Sequence, residues 1–198
     1  MPDAIADKIG AVETRFGITL HNHQSLALRA LAEGKNVILH SPTGSGKSVV
    51  FQGAPEVLPN RGVTVVLYPL RALVKDQTRR AEELGLSSVT LYGDTPTKDR
   101  PELYERIASG ETKMLLTTPE TFDRNRKLQD ALRTCGVSLL VVDEAHAYEE
   151  WADGFRPTYR NAGFIAEKVG VKQFLLCSAT LTVNGYRNAT ATLKRPNW

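Results

Sequence analysis

Val37-Ile38-Leu39-His40 runs directly into Ser41-Pro42-Thr43-Gly44-Ser45-Gly46-Lys47-Ser48, and these twelve residues decide the fold. A short apolar strand enters a glycine-bearing loop that ends in Lys-Ser and opens a helix. Gly44 and Gly46 let the backbone curl, so that consecutive N–H groups converge on one point. The helix begun at Lys47 aims its positive end at the same point, which makes it a seat for a polyphosphate. Lys47 is spaced to reach β- and γ-phosphate oxygens, and the Ser48 hydroxyl is placed for Mg2+. The backbone of Pro42, Thr43, Gly44, Ser45 and Gly46 completes the cradle. Ser41 stands where such loops usually begin with glycine, and Pro42 stiffens the approach. The arrangement is a P-loop, and it implies binding of a nucleoside triphosphate, with ATP and Mg2+ as the expected cofactors.

Outward from that loop, short apolar runs alternate with helical patterns along the chain. Strands are predicted at Asn36–His40, Val63–Tyr68, Ser88–Tyr92, Lys113–Thr117, Ser138–Val142 and Lys172–Cys177. Helices are predicted at Lys47–Leu58, Leu70–Leu84, Arg100–Ser109, Thr121–Arg133 and Pro157–Val169. VTVVLY and SLLVVD are continuously apolar rather than alternating, which is what a strand buried on both faces requires. The expected fold is therefore α/β: a single P-loop domain with a mostly parallel sheet and helices on both faces. Ligands of such sheets gather where the strand carboxyl ends point.

Composition narrows the function classes. The chain has 198 residues, 41% of them apolar, and a formal net charge of +3. That length fits one domain with a sizeable core. The mild basic balance is compatible with a nucleic-acid partner without demanding one. Cys135 and Cys177 lie far apart among apolar residues and read as reduced core thiols; no Cys/His spacing suggests zinc. No apolar run approaches a membrane span, and MPDAIADKIG lacks the basic flank and apolar core of a signal peptide. The expectation is a protein of the cytoplasm, or of the nucleus in a eukaryote, with no membrane partner.

The second anchor is Leu139-Leu140-Val141-Val142-Asp143-Glu144-Ala145-His146. An apolar strand ends in two adjacent carboxylates whose side chains diverge, so they can take different tasks. Asp143 is placed to hold Mg2+ through water, and Glu144 to accept a proton from the water that attacks the γ-phosphorus. Asp143 and Ser48 are the candidate metal residues; Lys47, Asp143, Glu144 and His146 are the candidate catalytic residues, His146 in a coupling role.

With these motifs in place, the chain resembles the amino-terminal RecA-like domain of superfamily 2 helicases, and within them the RecQ family. Asp143-Glu144-Ala145-His146 is similar to the family's DEAH box, and Ser178-Ala179-Thr180 to its motif III. Tyr68-Pro69-Leu70-Arg71-Ala72-Leu73-Val74-Lys75-Asp76-Gln77 resembles motif Ia, and Thr117-Thr118-Pro119-Glu120 motif Ib. Phe16-Gly17 followed by Gln24 is similar to the upstream element whose glutamine reads the adenine edge. His146-Ala-Tyr-Glu-Glu-Trp151-Ala-Asp-Gly-Phe155-Arg156-Pro157 is similar to RecQ's aromatic-rich loop. In that family the loop senses single-stranded DNA. Here Trp151 and Phe155 offer stacking faces, and Arg156 offers a charge for phosphate or a cation–π partner. Tyr92-Gly93-Asp94-Thr95-Pro96, with Arg100 after it, is more similar to the large helicase-related branch of superfamily 2.

The resemblance implies nucleic-acid contacts from Arg71, Lys75, Thr118, Trp151, Phe155 and Arg156, with single-stranded DNA as the partner. Contacts of that kind go to the sugar-phosphate backbone, with little sequence preference and steep salt dependence. It also implies a second RecA-like domain, whose arginines stabilise charge on the transferring phosphoryl group. The sequence reads as residues 1–198 of a first RecA-like domain, with nothing like motifs IV to VI after Ser178-Ala179-Thr180. The second domain is expected in trans or in a longer parent chain. Two alternatives stay open: a nucleotide-dependent nucleic-acid-binding or regulatory module without motor activity, and a fragment of an RNA helicase.

Overall fold

The computed structural model describes residues 4–145, 158–180 and 182–192. In chain order the elements are α1 (Ala4–Phe16), α2 (Asn22–Ala32), β1 (Val37–His40), α3 (Lys47–Val57), β2 (Val63–Leu67), α4 (Arg71–Glu83), β3 (Ser88–Leu91) and α5 (Arg100–Ala108). They continue as β4 (Met114–Thr117), α6 (Pro119–Arg124), α7 (Arg126–Cys135), β5 (Val137–Val142), α8 (Thr158–Lys168), β6 (Gln173–Ser178) and α9 (Val183–Thr192). The strands form one sheet in the order β1-β6-β5-β2-β4-β3. Every pairing is parallel, as the two-faced burial of its strands requires.

Burial follows position in that order. Residues of the interior strands β2, β4, β5 and β6 are buried throughout, while the edge strands β1 and β3 are only partly buried. Alternate residues feed two cores. Val66, Tyr68, Leu139, Val141, Leu175 and Cys177 face a layer built by α1 to α4. Val65, Leu67, Leu140, Val142, Phe174 and Leu176 face the layer of α5 to α8. Helices thus cover both faces of the sheet, as expected. Gly53 in α3 sets one close approach: a Cβ there would stand 2.7 Å from Val12 Cγ1, so α1 can seat on α3 only because that carbon is missing.

One expected element divides. The pattern over Thr121–Arg133 predicts a single helix, but Asn125 is extended (φ −92°, ψ 93°) and separates α6 from α7. Its backbone N–H closes α6 on the Thr121 carbonyl, and its side chain accepts from the Leu128 N–H to open α7. Asparagine suits the break because its short carboxamide competes with helix hydrogen bonds. The Asn125 amide also donates to the Tyr104 hydroxyl at 2.8 Å, which ties the break to α5.

Candidate active site

Hydrogen bonds between strand tips assemble the site at the carboxyl edge of the sheet. Ser41 N–H donates to the Ser178 carbonyl, Ala145 N–H to Cys177, Asp143 N–H to Leu67, and Tyr68 N–H to Thr117. The loop after β1, the acids after β5 and the Ser178-Ala179-Thr180 turn after β6 are therefore stitched side by side. His40 Nε2 lies 3.1 Å from the Ala179 carbonyl, and Thr180 N–H donates to Ser178 Oγ.

In the P-loop, Gly44 and Gly46 take φ values of 80° and 78°, a region open to glycine and costly for other residues. Gly46 is the residue from which α3 starts. The Lys47 ammonium folds back over the loop and donates to the Ser41 carbonyl at 2.9 Å and the Pro42 carbonyl at 3.1 Å. It is buried at 9% exposure, held at the mouth of the cradle that it would share with phosphate. Ser41 Oγ donates to Ser45 Oγ, which braces the turn. Ser48 is half-buried in the first turn of α3; Pro42, Thr43 and Gly44 are exposed.

Gln24 sits behind this loop, not out in the open. It is buried, its amide donating to the Gly46 carbonyl at 3.0 Å and its carbonyl receiving the His21 N–H at 2.8 Å. His23 Nε2 lies 3.2 Å from the Ser45 carbonyl, and its ring stacks on His21 with centroids 5.7 Å apart. Gln24 therefore braces the glycine loop from behind, a task that a sequence motif alone does not display.

Asp143 follows β5 in a cross-strand row. The registers Leu67↔Val142 and Val142↔Leu176 continue to place Asp143 between Tyr68 and Cys177, on the face that carries α3. The Cys177 thiol is pushed well above its ordinary value, first by burial and then by the Asp143 charge; Lys47 opposes the shift and Glu144 adds to it. One buried thiol thus feels the lysine and both acids. Glu144 has φ 52°, the only positive φ of a non-glycine residue among the described residues. Left-handed backbone at such a residue is strained and swings its side chain away from the pleat direction it would otherwise follow.

Among the described residues, no group of three His, Cys, Asp or Glu side chains could hold a metal. A cation held by Asp143 and Ser48 would complete its shell with phosphate oxygens and water. Mg2+ is bound in that way, so the donor set fits it.

The expected nucleic-acid residues fare unevenly. Arg71 opens α4, exposed, and forms an ion pair with Asp94 at 2.6 Å; Lys75 lies exposed one turn later. Arg100 donates to the Gly93 and Thr95 carbonyls and shapes the turn that presents Asp94. Thr118 is buried, and its side chain caps α6 by accepting the Thr121 N–H. His146, Trp151, Phe155 and Arg156 lie outside the described residues. Sequence reading missed Asp94 as the partner of Arg71 and Tyr68 as the neighbour of Asp143. Neither pairing has a signal within a single run of residues.

A family model for the DEAD/DEAH box helicase matches residues 21–188. The chain belongs to the DEAD/DEAH box helicase family. Membership implies ATP binding. Among its relatives is the RecQ-like DNA helicase blm-1 of Caenorhabditis elegans, 32% identical over 164 residues, covering 79% of this chain and 16% of that protein. The ATP-dependent DNA helicase RecQ of Bacillus subtilis is 32% identical over 164 residues, covering 80% of this chain and 27% of that protein. The chain spans less than a third of the length of either relative. The fold is that of the DUF1998 helicase MrfA bound to DNA and AMPPNP, with a TM-score of 0.76 at 21% identity over 99% of this chain and 29% of that one. This domain is thus a DEAD/DEAH box helicase domain, similar over most of its length to part of the RecQ-like helicases.

Proposed function

We propose that this domain binds and hydrolyses ATP with Mg2+ as the first RecA-like half of a DNA helicase, tracking single-stranded DNA and completed by a second RecA-like domain. The observation that carries the reading is the hydrogen-bonded stitching of the loop after β1, the acids after β5 and the turn after β6 at the carboxyl edge of the sheet. Lys47 exchanges its loop carbonyls for phosphate oxygens and neutralises charge that grows on them. Mg2+, if bound there, would supply further neutralisation of the phosphate charge. Asp143 and Ser48 are the residues that would hold it, while Glu144 orients the attacking water and takes its proton. Arginines from the second domain are needed for a full rate, so the isolated half turns over slowly.

Single-stranded DNA is favoured as the polymer because the relatives are named as DNA helicases and the His146–Pro157 segment resembles the aromatic-rich loop of RecQ. Arg71 and Lys75, on an exposed helix start, would meet its phosphates. The test is phosphate release with and without single-stranded DNA, then with a polypeptide carrying a second RecA-like domain. Stepwise stimulation is expected, and Glu144→Gln removes turnover while keeping nucleotide binding. Turnover in Glu144→Gln equal to wild type places the base elsewhere.

A further inference from the structure

Three buried side-chain polar atoms among the described residues lack a protein partner: Thr64 Oγ1, Gln173 Oε1 and the Tyr68 hydroxyl. Thr64 and Gln173 stand near the amino ends of β2 and β6, away from the candidate site. Tyr68 stands at the carboxyl end of β2, in the row beside Asp143. Its ring meets Phe51 of α3 edge to face, centroids 6.3 Å apart. Phenylalanine would serve that packing equally well, so packing gives no reason for the oxygen. A buried phenol ordinarily finds an acceptor, and leaving it without one costs about 1–3 kcal/mol.

The carboxylate next to it in the row is that of Asp143, whose Oδ1 accepts the Glu144 N–H at 3.0 Å. Its flanking row neighbours are Cys177, a weak donor, and Tyr68, a strong one. A phenolic hydroxyl is an intrinsic donor at neutral pH.

We propose that Tyr68 is a positioning residue for Asp143: its hydroxyl donates to that carboxylate in the nucleotide-loaded site and fixes the orientation in which the acid meets the metal. The inference rests on the reading of Asp143 as the metal-holding acid. Partners of this outer kind typically change metal affinity by about 10–100-fold when removed.

The test compares wild type with Tyr68→Phe by thermal melting, first free and then with saturating AMPPNP across a Mg2+ titration. The free variant should melt at or above the wild-type temperature, since no protein hydrogen bond is lost. The Mg2+ concentration for half-maximal stabilisation should rise about tenfold. Cys177→Ala, which disturbs the other flank of Asp143 without removing a strong donor, should keep the wild-type Mg2+ dependence. Unchanged Mg2+ dependence in Tyr68→Phe overturns the proposal, as does a shift of equal size in Cys177→Ala, which assigns the effect to packing. Lower stability of free Tyr68→Phe with normal Mg2+ dependence overturns it as well. A wild type that ignores Mg2+ altogether removes the metal reading of Asp143 itself, an outcome distinct from the failure of Tyr68 alone.

Discussion

Replacing Gly46 with alanine tests the P-loop at its tightest point. Gly46 has φ 78°, and a Cβ there would stand 2.4 Å from Gln24 Nε2. Left-handed backbone at an L-residue costs about 1–2 kcal/mol. The collision also drives away an amide that holds the Gly46 carbonyl at 3.0 Å and, through its own carbonyl, the His21 N–H at 2.8 Å. Two such hydrogen bonds contribute roughly 1–3 kcal/mol net. The sum is about 3 kcal/mol, or a fall in melting temperature of about 6–12 °C for a domain of this size. Gly44 is the internal control, with φ 80° and nothing within 4 Å of its missing Cβ. Gly44→Ala should lose only the backbone part, about 1–2 kcal/mol. Thermal and urea melts of both variants measure the difference. In a Gln24→Ala background the excess of Gly46→Ala should vanish, because the atom it strikes is gone. Equal costs at the two glycines, or an excess that persists without Gln24, would refute the bracing role of that side chain.

Glu144→Gly relieves a strained φ of 52°, so it should raise the melting temperature by a few degrees, about 1 kcal/mol, while phosphate release is lost. Asp94→Asn frees Arg71 from an exposed ion pair worth at most about 1 kcal/mol. Stability should hold, and binding of single-stranded DNA at low salt should tighten by up to about fivefold in an anisotropy titration. The thiol of Cys177 and the phenol of Tyr68 are both raised by burial from ordinary values of 9.0 and 10.0. The unfolded chain releases these protons before the native one, so stability is full below pH 9 and falls as pH climbs through 9 and then 10. Urea melts across that range check the sign, and Cys177→Ala should lessen the slope.

Legibility in the sequence followed the range of the physics. All six strands could be read because VTVVLY and SLLVVD carry two-faced burial in their own composition, and each ends at a chemistry-bearing turn. The helix break at Asn125 could not, since amphipathic spacing runs on through it and the cap depends on Tyr104 of another element. Helices α1 and α2 escaped notice although Gln24 was singled out, because α1 buries little of its own and docks through the bare Cα of Gly53. Lys47, Asp143 and Glu144 were legible as local motifs. That Thr118 is turned inward as a cap, that Arg71 faces Asp94 and that Tyr68 flanks Asp143 are facts of pairing between distant segments. Strand order decides such contacts, and nothing within a single run of residues encodes it.

The most direct measurement is the melting temperature of the wild type and Lys47→Ala with and without ATP and Mg2+. A ligand that binds only the native state stabilises it by about 2.7 kcal/mol at a hundredfold excess over Kd. The wild type should therefore melt several degrees higher when both are present, and Lys47→Ala should not move. A variant stabilised as fully as the wild type would mean that phosphate is held somewhere other than the loop between β1 and α3.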